Sequence, residues 1–278
     1  MFESANVFLF SFPWPVAPLI ILAIMVLIGV LSYVSGKLTA SGAVAAVLLG
    51  FSVMWGLGIE GIVLFLVFFV LSNLAGRLRK RQFSYGRKVE TKEGARDWAQ
   101  VLANGLMAAV ASLWFLFSAS SVSIVMFGAA VAEAFSDTLA GEMGRLSRSR
   151  PVSIITFRPV DSGISGGVTA FGTMAGFAAS AFIATLWALF FSIPNLPLAA
   201  SFVCLGGFAG CITDSLLGAL VQALYRDKDG NWSEKPFDKA GNANTYIRGI
   251  KWMDNDMVNF VANTFACVFA TGLYLIFG

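Results

Sequence analysis

The amino-acid sequence predicts an all-α protein, a polytopic transmembrane helical bundle of about eight spans. Three observations lead there. Of 278 residues, 57% are hydrophobic and 13% charged, about half the charged share of a soluble domain. That excludes a soluble enzyme, a disordered chain and a disulfide scaffold. The apolar residues gather into stretches of about 20, the length that crosses a bilayer as a helix. All 19 Lys and Arg fall at positions 37, 77–96, 145–158 and 226–251, between alternate pairs of those stretches.

Taken in order, the expected spans are 16–35, 39–56, 58–76, 98–118, 122–143, 166–192, 197–223 and 256–277. The fifth contains Glu133, Asp137 and Glu142. It is kept as a buried helix because deleting it would scatter basic loops over both faces of the membrane. Under the positive-inside rule the basic loops are cytoplasmic and both termini lie outside. Trp14, Trp55, Trp98, Trp114, Trp187 and Trp252 fall near span ends, where interfacial aromatics belong. The chain is expected to be one transmembrane domain, 1–278. Short matches (Gln100-Val-Leu-Ala-Asn104 with Asn259-Phe-Val-Ala-Asn263, Ser41-Gly42 with Ser165-Gly166) suggest parallel halves, 1–118 and 119–278. Residues 1–13 carry no Lys or Arg, so no signal peptide is expected. Cys204, Cys211 and Cys267 lie in apolar stretches and read as core residues. There is no His, which excludes a Ser-His-Asp triad, a His base and His ligation of zinc or haem. The expected partners include membrane lipids and no nucleic acid.

Ionisable side chains inside a span are costly and are functional candidates by default. Glu133 and Asp137 stand four apart on one helix face, and Ala140 and Gly144 continue the stripe. Asp214 has Gly210 and Gly218 one turn away on either side, and small residues let helices approach closely. Carboxylates on two such helices could converge on one cation, and Mg²⁺ takes oxygen ligands; a buried polar network that holds helices together is the simpler alternative. Glu142 lies on another face and could pair with Arg145. The run Asp161-Ser-Gly-Ile-Ser-Gly-Gly-Val-Thr169 places glycine-rich backbone before a helix, a ready anion site, or else only a turn. A Walker A loop is absent: near Gly29–Lys37 the spacing is wrong and Leu38 replaces Ser/Thr. Lys88 and Arg96 are candidate phosphate ligands, since Arg pairs with phosphate through its planar fork. Asn104 follows Arg96 on the next helix. Asp254-Asn-Asp256-Met-Val-Asn259 opens the last span, where Asp is often only a cap. All these elements are expected at one membrane surface.

Together the motifs Glu133-x3-Asp137-Thr-x3-Glu142-x-Gly144, Ser162-Gly-Ile-Ser-Gly-Gly-Val-Thr169, Asp214-Ser-Leu-Leu-Gly-Ala-x2-Gln222 and Asn255-Asp-x-Val-Asn259 resemble the integral-membrane family that contains the phytyl-phosphate kinases of tocopherol synthesis. The eukaryotic transmembrane protein 19 group is similar. The resemblance runs from about residue 30 to the end. It implies transfer of a phosphoryl group from a nucleoside triphosphate, CTP first, to a prenyl monophosphate such as phytyl phosphate. On that basis Glu133, Asp137 and Asp214 are the catalytic and Mg²⁺-binding carboxylates. Lys88, Arg96, Arg158, Ser162, Gly163, Ser165, Gly166, Gly167 and Asp256 would bind phosphate or nucleotide. Asn104, Thr138, Glu142, Ser215 and Asn259 would support them or touch substrate. The plant members carry a transit peptide and this chain shows none, which fits a prokaryotic inner or thylakoid membrane.

The chemistry agrees. Phosphoryl transfer needs mainly positioning and charge stabilisation, and a phosphate acceptor is already anionic, so the lack of His is no handicap. The rival expectation is a cation- or proton-coupled transporter that uses the same carboxylates near the midplane. Asp214, about ten residues from the inner end of the expected span, keeps that rival open.

Overall fold

A computed structural model describes residues 3–78, 89–90, 94–238 and 241–278. The helices are α1 (Glu3–Phe10), α2 (Val16–Val34), α3 (Ala40–Leu78), α4 (Trp98–Ser118), α5 (Ser121–Leu146), α6 (Ala170–Phe190), α7 (Leu196–Leu220) and α8 (Asn255–Phe277). Among the described residues, seven are long and apolar enough to cross a membrane. One of the seven holds two expected spans. α3 is broken at Gly58, with φ 67°, and doubles back there. A Cβ on Gly50 would lie 3.7 Å from Ile62 Cδ1, and one on Gly61 would lie 3.2 Å from Val53 Cγ1. Residues twelve apart in a straight helix are about 18 Å apart. The expected spans 39–56 and 58–76 are thus the two arms of a helical hairpin. Asn6 of α1 seals the bend: its Oδ1 accepts from the Ile59 backbone N–H at 2.9 Å and its Nδ2 donates to Glu60 at 2.5 Å.

The bundle has two unlike ends. At one, tight connections join the helices, and the Gly58 bend lies beside α4, where a Cβ on Gly56 would collide with the Ser112 carbonyl. Asn195 Nδ2 donates to the Gly278 carbonyl at 3.0 Å. Trp187 is fully buried here and donates Nε1–H to the Ile124 carbonyl at 3.0 Å; it is a core residue, not the interfacial anchor its position suggested. The other end carries the long loops and the described Lys and Arg. There the chain forms short strands: β1 (Val89–Glu90), β2 (Val152–Ser153), β3 (Gly167–Val168), β4 (Leu224–Arg226), β5 (Trp232–Ser233) and β6 (Thr245–Arg248). They form a sheet of order β1-β5-β4-β6 and a β2-β3 ribbon with Val152 opposite Val168.

α5 is the central helix. In its spanning stretch 72% of the residues are buried, against 28–44% in the other six helices. Surrounded by protein, it does not need the apolar exterior of a lipid-facing span, and this explains how it tolerates Glu133, Asp137 and Glu142. Its neighbours approach through small residues. Gly172 and Gly176 of α6 lie against Ala140, Gly144 and Ser136, and Gly210 of α7 leaves room for the Glu133 side chain.

The sixth span begins later than expected. Gly166 is in a turn, and residues 167–169 form β3 and the cap of α6, where Thr169 Oγ1 accepts from the Gly172 backbone N–H at 3.1 Å. α7 ends at Leu220, so Asp214 lies six residues from its end, about 9 Å and nearer the basic surface than a span reaching 223 implied.

Candidate active site

At the basic end, α5, α7, α8 and the loop before α6 line a cleft. Asp137, Gly141, Gly144 and Arg145 line it from α5, Asp214 and Ser215 from α7, and Asn255 from α8; Ser162, Gly163, Ser165, Gly166 and Gly167 form the facing wall. A second lobe lies past α5 toward α4, lined by Arg96, Asn104, Asp137, Thr138, Glu142, Arg145, Asp256 and Asn259. Asp137, Gly141, Arg145 and Asn255 border both lobes. The last turns of α5 are thus a ridge between two polar chambers, with a carboxylate and a guanidinium on it. The N-termini of α4, α6 and α8 also face this space, and their positive dipole ends favour anions.

The local sequence explains each placement. Asp97 caps α4 through a capping box: Gln100 N–H donates to Asp97 Oδ1 at 3.1 Å, and Gln100 Oε1 accepts from Asp97 N–H at 3.3 Å. Arg96, just before it, is pinned by backbone bonds of 3.0 Å to Lys37 and Thr39. A Cβ on Gly42 would strike the Arg96 carbonyl at 2.1 Å, so glycine is required there. Burial holds the Arg96 guanidinium below its usual pKa, and the nearby Glu142 carboxylate pulls it back up. Glu142 Oε2 is buried with no hydrogen-bond partner among the described residues. Asp254 caps α8 by accepting from Met257 N–H at 2.9 Å, which leaves Asn255 and Asp256 facing the chambers. Asn259, with its amide turned to donate, reaches Asp214 Oδ2 at 2.8 Å and the Asn255 carbonyl at 3.1 Å. Asn104 and Thr138 donate to backbone carbonyls four residues earlier in their own helices.

The glycine loop is held as a unit. Gly163 and Gly166 have φ of 89° and 82°, a region L side chains avoid. A Cβ on Gly166 would lie 2.4 Å from Ala219 Cβ. Arg248 of β6 spans the junction, donating to the Gly218 and Ala219 carbonyls at the end of α7 and to the Ser165 carbonyl. Asp161 accepts from Trp232 Nε1 at 2.8 Å and lies 3.7 Å from Arg150, tying the loop to β5.

Not every expected residue reaches the cleft. Glu133 is 1% exposed and sealed one turn deeper. There it accepts from Asn263 Nδ2 at 2.5 Å and packs against Gly210; the shared face with Asp137 does not bring it into the chamber. Arg158 is exposed on the turn after β2 and lines neither lobe. Lys88 lies outside the described residues. Among those described, no three Asp, Glu or Cys side chains gather as a metal cage. Asp137 and Asp214, open to one cleft, fit a Mg²⁺ that completes its shell with water and phosphate oxygens.

Two residues without an expected role enter the site. Glu234 accepts from Ser165 Oγ at 2.8 Å and from Gln222 Nε2 at 3.0 Å; burial pushes its pKa up, against those hydrogen bonds and Arg145. Arg145 itself lines both lobes. Glu234 lies in a polar loop that offers no periodicity, and the nearby Trp232 is its one local signal.

The fold and the cleft together define an integral membrane protein with a polar site at its basic end. The profile of the family described as integral membrane protein DUF92 matches residues 23–267, and the chain belongs to that family. It is 30% identical to protein PGR of Arabidopsis thaliana over 267 residues, covering 85% of this chain and 88% of the relative. It is 32% identical to an uncharacterized membrane protein of Methanocaldococcus jannaschii, MJ0933, over 181 residues (65% of this chain, 73% of the relative). It is also 27% identical to the chloroplastic protein VTE6 of Arabidopsis thaliana over 229 residues, 81% of this chain and 61% of that one. No solved structure matches.

Proposed function

We propose that this protein is a prenyl-phosphate kinase that transfers the γ-phosphoryl group of a nucleoside triphosphate, CTP first, to phytyl phosphate or a similar prenyl monophosphate. The observation that carries it is the pair of polar chambers meeting at Asp137 and Arg145. Two phosphate-bearing substrates have to meet end to end, and this ridge gives them a common border. The similarity to protein VTE6 and the motif resemblance to phytyl-phosphate kinases support the same chemistry.

In this scheme the triphosphate lies against the Ser162–Gly167 backbone and the acceptor phosphate against Arg96. An acceptor phosphate oxygen attacks the γ-phosphorus in line; the bond to the β–γ bridging oxygen breaks, and the nucleoside diphosphate leaves. The acceptor is anionic at neutral pH, so no base has to take a proton from it. Arg145, at the border of both lobes, offsets charge on the group in transit. Asp137 and Asp214 would hold Mg²⁺, which when bound screens the phosphate oxygens. Asn259 orients Asp214 by its amide donation. The basic end would face the cytoplasm, by the positive-inside rule, where nucleotide is available. Asp214 close to that end, and a tightly packed opposite end, favour an enzyme open to one side over a transporter open to both.

The test is direct. Purified protein with Mg²⁺, γ-labelled CTP and phytyl phosphate should place label in phytyl diphosphate. No transfer to any C15–C20 prenyl monophosphate with any of the four nucleotides overturns the proposal.

A further inference from the structure

Beyond the polar chambers lies a cavity of another character. It lies between α2, both arms of α3 and the start of α4. Among the described residues its polar linings are Ser32, Arg96, Gln100 and Asn104, and the last three also line the chamber on the α4 side of the ridge. The chamber beside the glycine loop shares no residue with it. Among the described residues, this hydrocarbon-lined cavity adjoins the chamber on the α4 side and not the one beside the glycine loop.

The cavity runs inward from that polar mouth. Phe69 lines it near the basic end, and Ile62, seven residues further from that end, lines its depth with Met25 and Gly50. Seven helical residues span about 10 Å. A C–C bond of about 1.5 Å advances an extended chain by about 1.25 Å, so that depth takes about eight bonds, or two isoprene units. Gly29 lines both this cavity and a separate groove between α2 and α3, in which Val30, Val44 and Leu48 face outward. Gly29, packed against Val47, thus borders both spaces.

We infer that this cavity receives the apolar chain of the phosphorylated lipid: the acceptor phosphate sits at Arg96, and the first isoprene units run inward between α2, α3 and α4. This rests on the prenyl-phosphate reading above and deepens it. It assigns the two chambers, with the acceptor on the α4 side and the nucleotide on the glycine-loop side. It also gives the α2–α3 hairpin region a task, selection of the chain, that the carboxylates cannot perform.

The experiment is photocrosslinking of the intact protein with a C15 prenyl monophosphate carrying a diazirine on its second isoprene unit, followed by peptide mapping. Crosslinks are expected on α2, α3 and α4 and should be competed by unlabelled C20 prenyl monophosphate. A second arm uses Ala46→Phe, which fills the cavity one helical turn inward from Gly42, the residue packed on Arg96. It should raise KM for a C20 acceptor by about tenfold or more, the loss of about two buried methylene groups, with KM for the nucleotide unchanged. Crosslinks elsewhere, or none, overturn the inference, as does an Ala46→Phe protein that binds C20 acceptor as wild type does. Labelled-phosphate transfer, measured in parallel, separates the two proposals. Crosslinks in the cavity without transfer would leave a lipid-phosphate site and remove the kinase; transfer with crosslinks elsewhere would do the reverse.

Discussion

The two halves of α5 share one helix and one stripe of small and acidic residues, yet they do different work. From Ser123 to Ser136 every residue but Met126 is buried, and the acid among them, Glu133, is sealed with Asn263. From Asp137 onward the same face opens onto the chambers, and Asp137 and Arg145 border both. One helical turn separates an acid held by packing from an acid presented to ligands. What differs is the neighbour. Beside Glu133 stand Gly210 and Ala266, close enough to exclude solvent; beside Asp137 the other helices reach their ends and loops take over. Intramembrane charge alone therefore does not mark a catalytic residue; the packing of the next helix decides.

Substitutions can sharpen or break that division. The largest effect is expected at Asp214, which faces Asp137's chamber from α7. Asp214→Asn should lower kcat for transfer by about 10²–10³, the usual cost of one electrostatic contact to a transition state, while size-exclusion profiles in detergent stay those of wild type. In the sealed half, Asn263→Leu removes the amide that donates to Glu133. It should cost about 1–3 kcal/mol, the penalty of leaving a buried polar group without its partner, read as a lower Tm. Gly166→Val sets a branched side chain at φ 82° against Ala219. The left-handed backbone alone costs about 1–2 kcal/mol, and the disturbed loop should appear as a raised nucleotide KM. The smallest effect is at Glu234. Its carboxyl pKa is raised by burial from 4.5, so its contribution to stability is whole below that value and is lost as pH rises through the higher folded-state pKa. Glu234→Gln keeps an oxygen for Ser165 and Gln222 and should flatten the fall of Tm with pH over that interval. An unchanged profile would mean that Glu234 does not titrate there.

Much of this was legible in the sequence because the bilayer imposes strong rules. Span length and the confinement of basic residues to alternate loops gave the bundle its even number of crossings, and Asp137, Asp214 and the Ser162–Gly167 run line one cleft as their motifs suggested. The failures have physical reasons. Glu133 and Asp137 share a helix face, but a face does not say where a neighbouring helix ends. Trp187 sits near a span end, but at an end closed by protein the indole is core. Glu234 and the short strands at the basic end arise from pairings between distant segments, such as β1 with β5, which no local period announces. The reversal at Gly58 was legible as the boundary between the expected spans 39–56 and 58–76; that it is a break within one continuous helix, made at a glycine of φ 67°, was not.

The most direct test of the account compares the two acids of α5 in one assay, γ-phosphoryl transfer from labelled CTP to phytyl phosphate by Asp137→Asn and Glu133→Gln proteins of equal fold. The account predicts that Asp137→Asn loses transfer by about 10² or more. Glu133→Gln, whose new amide oxygen can still accept from Asn263, should retain transfer within a few-fold of wild type. Equal losses in the two proteins, or the greater loss at Glu133, would contradict it.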